Sequence, residues 1–102
     1  MNAALAINDP VLVIEHIELY QQMDQVPTEL DYQLPFGRAA VRRTGKDVTV
    51  LTYGAMVKKT LEAIEQSGLD AELIDLRWLD KASFDWQSVG ESIKKTNNVL
   101  VV

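Results

Sequence analysis

Residues 47 to 77 read DVTVLTYGAMVKKTLEAIEQSGLDAELIDLR, and their reading decides the fold. Val48, Val50 and Leu51, with Thr49, Thr52 and Tyr53, make a β-branched and aromatic run of strand length. Gly54 ends it, because glycine lets the backbone turn sharply. The apolar period then changes. Val57, Leu61 and Ile64 fall at i, i+4 and i+7, one face of a helix, while Lys58, Lys59, Glu62 and Glu65 take the other. Ser67-Gly68 closes the helix, with Gly68 suited to a left-handed C-terminal cap. Ala71 to Leu76 is a second strand-like run. Two strands joined through a helix need a crossover, which predicts a right-handed parallel βαβ unit.

The pattern repeats downstream. Phe84, Trp86, Val89 and Ile93 mark a second helix face, and Val99 to Val102 a third strand. Ser83 is a plausible N-cap, and Asp85 suits the positive end of the helix dipole. Lys94, Lys95 and Asn97 or Asn98 suit the other end. Upstream, Gly37 to Arg43 reads as a short strand, and Thr44 to Asp47 as the turn into the central unit. The fold class is α/β, with a βαβαβ core.

The first third of the chain is less regular. Ala3 to Ile7 read as the last turns of a helix halted at Asn8-Asp9-Pro10. Val11-Leu12-Val13-Ile14 predicts a strand, either buried on both faces or at the edge of the same sheet. Residues 17 to 36 have no clean period and are punctuated by Pro27 and Pro35, which favours a linker. An apolar strand near each end suggests a piece of a longer protein.

Composition narrows the function. One hundred and two residues make one domain at most. A net charge of −5 argues against nucleic-acid binding, which needs a clustered basic face. No cysteine is present, so disulfides, thiolate metal sites and a cysteine nucleophile are excluded. No run approaches the 18 or so apolar residues of a membrane span, and a cytoplasmic location is the default.

In open α/β sheets, ligands bind outside the carboxyl ends of the strands. Here those are Tyr53-Gly54-Ala55 and Arg77-Trp78. Gly54 alone is far short of a phosphate-binding loop and is read as a tight turn. His16 has Glu15 and Glu18 nearby, yet adjacent strand residues point to opposite faces, so an interface or strand-end role outweighs a metal or base role. Asp75 is a charge in an apolar run, expected to face out or to accept bonds from a neighbouring loop. Arg77 is the better candidate for holding an anion, although a pair with Asp75 or Asp80 is favoured. Trp78 and Trp86 are most simply core or interface aromatics. No catalytic triad, carboxylate pair or metal spacing emerges.

Together, DPVLVIEH (9–16) with ELY (18–20), DYQLPFGRAAVRRTGKDVTVLTYGAMV (31–57), AELIDLRWLD (71–80) and SIKKTNNVLVV (92–102) resemble the beta subunit of the thiamine-diphosphate-dependent 2-oxo acid dehydrogenases. These are the pyruvate, branched-chain 2-oxo acid and acetoin dehydrogenases. The resemblance implies a layout: residues 1–20 ending the pyrimidine-binding domain, 21–36 a linker, and 37–102 part of a transketolase C-terminal domain. That domain is a three-layer α/β/α mixed sheet, here truncated and preceded by an extra N-terminal strand and the linker. It would place the strand at 39–43 as an antiparallel edge, and the strand at 48–53 between those at 71–76 and 99–102.

The resemblance also implies where the chemistry is not. The family's cofactor-activating glutamate and transfer histidine lie upstream of this stretch, and the alpha subunit holds the diphosphate and magnesium. No catalytic, cofactor-binding or metal-binding residue is therefore expected here, and the chain is expected to be inactive alone. Glu15, His16, Tyr20, Tyr53, Gly54, Arg77 and Trp78 remain as interface or loop candidates. The partners implied are the alpha subunit, the lipoyl acyltransferase and further copies of the chain, through the last strand or an exchanged 11–16 strand. Trp78 and Lys81-Ala82 depart from the threonine and proline common after Asp-Leu-Arg, which leaves the 2-oxo acid open. A non-catalytic assembly module of the same fold is the alternative, and a transketolase or deoxyxylulose-phosphate synthase relative a weaker one.

Overall fold

A computed structural model describes residues 1–102. The chain divides into two compact units, Met1–Phe36 and Gly37–Val102.

The second unit is an α/β/α sandwich. Its strands are β1 (Ala40–Arg43), β2 (Val48–Thr52), β3 (Ala71–Asp75) and β4 (Val99–Val101). They form one sheet in the order β1-β3-β2-β4. β2 runs parallel to β3 and to β4, and β1 is antiparallel to β3. The expected antiparallel edge and central strand are both present.

Helix α2 (Met56–Ser67) covers one face. Val50, Ile64, Ala71 and Leu73 are buried there, with Val48, Val57 and Leu61 against them. Helix α3 (Trp86–Thr96) covers the other, where Leu51, Ile74, Leu76 and Val89 are buried with Ala39, Phe84 and Ile93. The alternation of strand side chains divides the two cores: Val50 and Leu73 face α2, and Leu51 and Ile74 face α3. Both layers fall within the sequence expectation, except at Trp86. It is 63% exposed, and its indole N–H donates to the Lys81 carbonyl at 3.2 Å.

The helix ends follow local chemistry. Gly68 takes the left-handed conformation at φ +70° and ends α2. Asn97 does the same for α3 at φ +55°. At the start of α3, Asp85 and not Ser83 is the cap. Its carboxylate accepts the Ser88 N–H at 3.0 Å and the Ser88 hydroxyl at 2.8 Å, and also the Ala39 N–H at 3.0 Å. Ser83 lies in the preceding turn, where its hydroxyl and N–H both donate to Asp80. Asp85→Ala should cost about 1 kcal/mol for the cap alone, read as a lower urea midpoint. Gly90, inside α3, has open space where a Cβ would stand. Gly90→Ala should therefore stabilise the protein by about 0.5 to 1 kcal/mol, raising the same midpoint.

The first unit contains a short helix α1 (Asn2–Ala6), as expected, and a 3-10 turn over Ile17–Gln21. The strand expected at 11–16 is absent. Residues 11–16 join no ladder, and Leu12 and Ile14 are 85% and 59% exposed. A strand needs a neighbour to pair with, and no strand forms within residues 1–36. Residues 22–36 hold no helix or strand.

Candidate functional site

Topology selects the crevice. β2 and β3 are neighbours, but the chain leaves β2 toward α2 on one face and leaves β3 toward α3 on the other. Diverging connections open a gap at the carboxyl ends of two parallel strands, where open α/β sheets place their ligands. Tyr53 and Gly54 follow β2 here, and Arg77 and Trp78 follow β3. The structure thus brings four of the seven candidates to one edge.

Asp75, the last residue of β3, lies opposite Thr52, the last of β2. It does not face out. It is 7% exposed and accepts from Arg42 on the edge strand, from Nε at 3.3 Å and Nη2 at 3.0 Å. The Arg77 guanidinium stands 3.7 Å from the same oxygen. The expected pair with Asp75 is therefore formed, and the partnership with Arg42 is one that sequence reading missed. Arg42 and Asp75 are 33 residues apart, and only the antiparallel β1–β3 pairing joins them. Gly54 makes its tight turn at φ +59°. Arg77 also sits at φ +59°, a region that side chains other than glycine enter at some cost. Tyr53 is 40% exposed and Trp78 half-buried.

The other three candidates lie together in the first unit. The Tyr20 hydroxyl donates to the Glu15 carboxylate, and this bond, with the charge behind it, raises the tyrosine above its ordinary value. His16 caps the 3-10 turn through its carbonyl, which accepts the Leu19 N–H at 3.0 Å. No three of the chain's His, Asp or Glu side chains converge as a metal site would require.

A second polar cluster lies beneath α3. Thr49, the second residue of β2, is fully buried, and its hydroxyl meets Ser92 at 2.7 Å and Thr96 at 2.8 Å. Next to it in the sheet, Glu72 is 5% exposed and pairs with Lys95. Burial pushes the Glu72 carboxyl up. Lys95, Ser92 and the Gly45 N–H outweigh this and hold it below the usual range. Asp85 is likewise pushed up by burial and brought below its usual value by Ser88, Ala39 and Arg38. These depressed values set the sign of an acid response. The stability they contribute is present above the ordinary carboxylate range and is lost as pH falls through the folded-state values. Denaturation curves should therefore weaken as pH falls below about 4.

Residues 37–102 match the family model for the transketolase C-terminal domain. The chain belongs to that family. Similarity to curated proteins runs over almost its whole length. The chain is 38% identical over 103 residues to the pyruvate dehydrogenase E1 component subunit beta of Bacillus subtilis (strain 168), covering 98% of this chain and 31% of that protein. It is 43% identical over 102 residues to the acetoin:2,6-dichlorophenolindophenol oxidoreductase subunit beta of Cupriavidus necator, covering 97% and 29%. It thus spans about three tenths of the length of these relatives. Among solved structures, a split gene transketolase described as an inactive beta4 tetramer superposes with a TM-score of 0.61 at 32% identity, over 72% of this chain and 25% of that one. Membership of the transketolase C-terminal family agrees with the sheet order and the paired helix layers described above. No helix is long and apolar enough to cross a membrane.

Proposed function

We propose that the chain is the assembly segment of the beta subunit of a thiamine-diphosphate-dependent 2-oxo acid dehydrogenase. In this reading residues 1–20 end the pyrimidine-binding domain, 21–36 link it onward, and 37–102 form part of the C-terminal domain. The whole enzyme, in the cytoplasm, oxidatively decarboxylates a 2-oxo acid and passes the acyl group to a lipoyl acyltransferase. Thiamine diphosphate supplies the electron sink of that reaction. The carboxylates of this chain do not suit the magnesium that accompanies that cofactor. The buried ones are each committed, Asp75 to Arg42, Glu72 to Lys95 and Asp85 to the start of α3. No acidic cluster is left to hold a cation. The cofactor and the alpha subunit would meet other parts of the enzyme, and this segment's work is packing.

The observation that carries the packing role is a difference between the two sheet edges. β1 is protected. It carries Arg42 and Arg43, and a register irregularity falls between Val41 and Arg43. Charges and bulges of this kind discourage strand addition. β4 has neither. Val99, Leu100 and Val101 are uncharged and 50 to 71% exposed. Beside them runs an apolar groove of about 360 Å³, lined by Val48, Met56, Ile64, Leu100 and Val102 among others. An open edge of this composition recruits another strand, and a second copy of the chain is the partner proposed.

Sedimentation velocity tests the packing role. The chain should self-associate with rising concentration, and Leu100→Lys should return it to monomer; a monodisperse wild-type monomer at high concentration overturns the role. Calorimetry tests the missing cofactor site. Thiamine diphosphate with magnesium should give no more heat than inorganic diphosphate, and saturable magnesium-dependent binding would place the site on this chain.

A further inference from the structure

We propose that the carboxyl edge of the sheet, on the α2 side, binds a phosphate group through the guanidinium groups of Arg42 and Arg77 and the first-turn amides of α2. Strand alternation brings these groups together. Val50 and Leu73 face α2, so Thr52 and Asp75, two residues further on, face it as well. Arg42 joins them by reaching Asp75 across the sheet. α2 begins at Met56, just beyond the end of β2, so its positive end lies over the same edge.

Three observations point to a ligand. The first is unbalanced charge. Two guanidinium groups share one carboxylate, and both lean on its Oδ2. Arg42 spends two donors there, and Arg77 closes only to 3.7 Å, an ion pair rather than a hydrogen bond. With five donors on each fork, most remain available. The second is the helix end. No side chain caps the first turn of α2, and that turn contains no acid. The third is Thr52. It is 1% exposed, and its hydroxyl has no hydrogen-bond partner. A buried, unsatisfied hydroxyl is costly, and this one sits on the sheet face beneath the start of α2, where a bound oxyanion would accept its proton. The Val57 N–H is engaged by the Gly54 carbonyl at 3.2 Å, and the cationic forks, the positive end of the helix and a hydroxyl donor together suit the several oxygens and high charge of phosphate better than a carboxylate.

The test is a titration of the full chain with inorganic phosphate, followed by amide and arginine-Nε NMR. Acetate and chloride at equal ionic strength serve as comparisons. Saturable shifts confined to Met56, Lys58, Thr52 and Arg77 are expected with phosphate alone. Phosphate at about ten times its dissociation constant should raise the melting temperature by about 7 °C. Arg77→Gln should weaken binding about tenfold, and Arg77→Lys should restore part of it. Asp75→Asn removes the competing carboxylate and should tighten binding severalfold. Equal responses to phosphate, acetate and chloride overturn the proposal, as does a phosphate response that Arg77→Gln leaves unchanged. If Asp75→Asn does not fold, the Arg77 variants decide. This site stands apart from the assembly role. Any thiamine diphosphate held here would bind through its phosphates, without magnesium, and would be lost in Arg77→Gln.

Discussion

Gly45→Ala should lower folding stability by about 3 kcal/mol or more. Gly45 lies in the turn between β1 and β2, a place where small changes are usually tolerated. Here the turn is pressed against the start of β3. Lys46 and Asp47 donate their N–H groups to the Asp70 carbonyl at 2.8 and 2.9 Å. A Cβ on Gly45 would stand 2.2 Å from the carbonyl carbon of Ala71, 2.5 Å from its oxygen and 2.5 Å from the Glu72 nitrogen. All three are backbone atoms of a buried strand, so no side chain can swing aside. Either the turn or β3 must move, and the Gly45 N–H that helps hold Glu72 ionised moves with it. Urea denaturation should show a lower midpoint with an unchanged slope. Gly68→Ala is the comparison. Its φ of +70° makes a side chain strained, but nothing lies within 4 Å, so the loss should stay at about 1 to 2 kcal/mol. Gly45 is not in the left-handed region, so a loss no larger than that at Gly68 would mean that the turn yields to the added methyl group.

Lys95→Met should cost about 2 kcal/mol at neutral pH and reverse the response to acid. Lys95 is the cation that faces Glu72 in the layer between the sheet and α3. Removing one partner of a buried pair leaves the other as an uncompensated charge, which is worse than removing both. The value is set at the low end because the Lys95 side chain is 45% exposed, so water already screens part of the interaction. In the wild type, Glu72 lies below its usual value, and its contribution disappears as pH falls through that value. Without Lys95 the burial effect dominates and drives the carboxyl up. The folded protein then binds the proton more tightly than the unfolded chain, and acidification toward the ordinary carboxylate range should stabilise the variant. The double variant Glu72→Gln, Lys95→Met should recover much of the loss. A single variant that tracks the wild-type pH profile would show that Ser92 and the Gly45 N–H suffice to hold the carboxylate.

Part of this molecule is written in local sequence. The β-branched and aromatic run at 48–53, the i, i+4, i+7 spacing of Val57, Leu61 and Ile64, and Gly68 at the helix end each depend on neighbours within a few residues. Strand, helix and cap could therefore be read directly. The crossover rule then fixed the parallel pairing of β2 and β3, and the resemblance supplied the edge position of β1. The loops at Gly54 and Arg77 were legible as an edge of interest for the same reason, because topology places them there.

The rest was decided by contacts between distant residues. Glu72 lies in an apolar run and is buried with a charge, which is tolerable only because Lys95 stands 23 residues away on α3. Asp75 could be read as facing out, as bonding a neighbouring loop or as pairing with Arg77, and the structure buries it with Arg42 reaching it from the edge strand. Ser83 and Asp85 are equally good caps by composition. Asp85 took the role because the turn had already engaged Ser83 with Asp80, and because Ala39 offered it a further donor. Val11 to Ile14 have the composition of a strand and form none, since a strand is a pairing and no partner strand lies within their unit. Sequence alone determined the elements of the second unit, and the resemblance added their order in the sheet. Tertiary structure decided which charges could be buried and which glycine has no room for a side chain, because each of these depends on a partner that the local sequence does not contain.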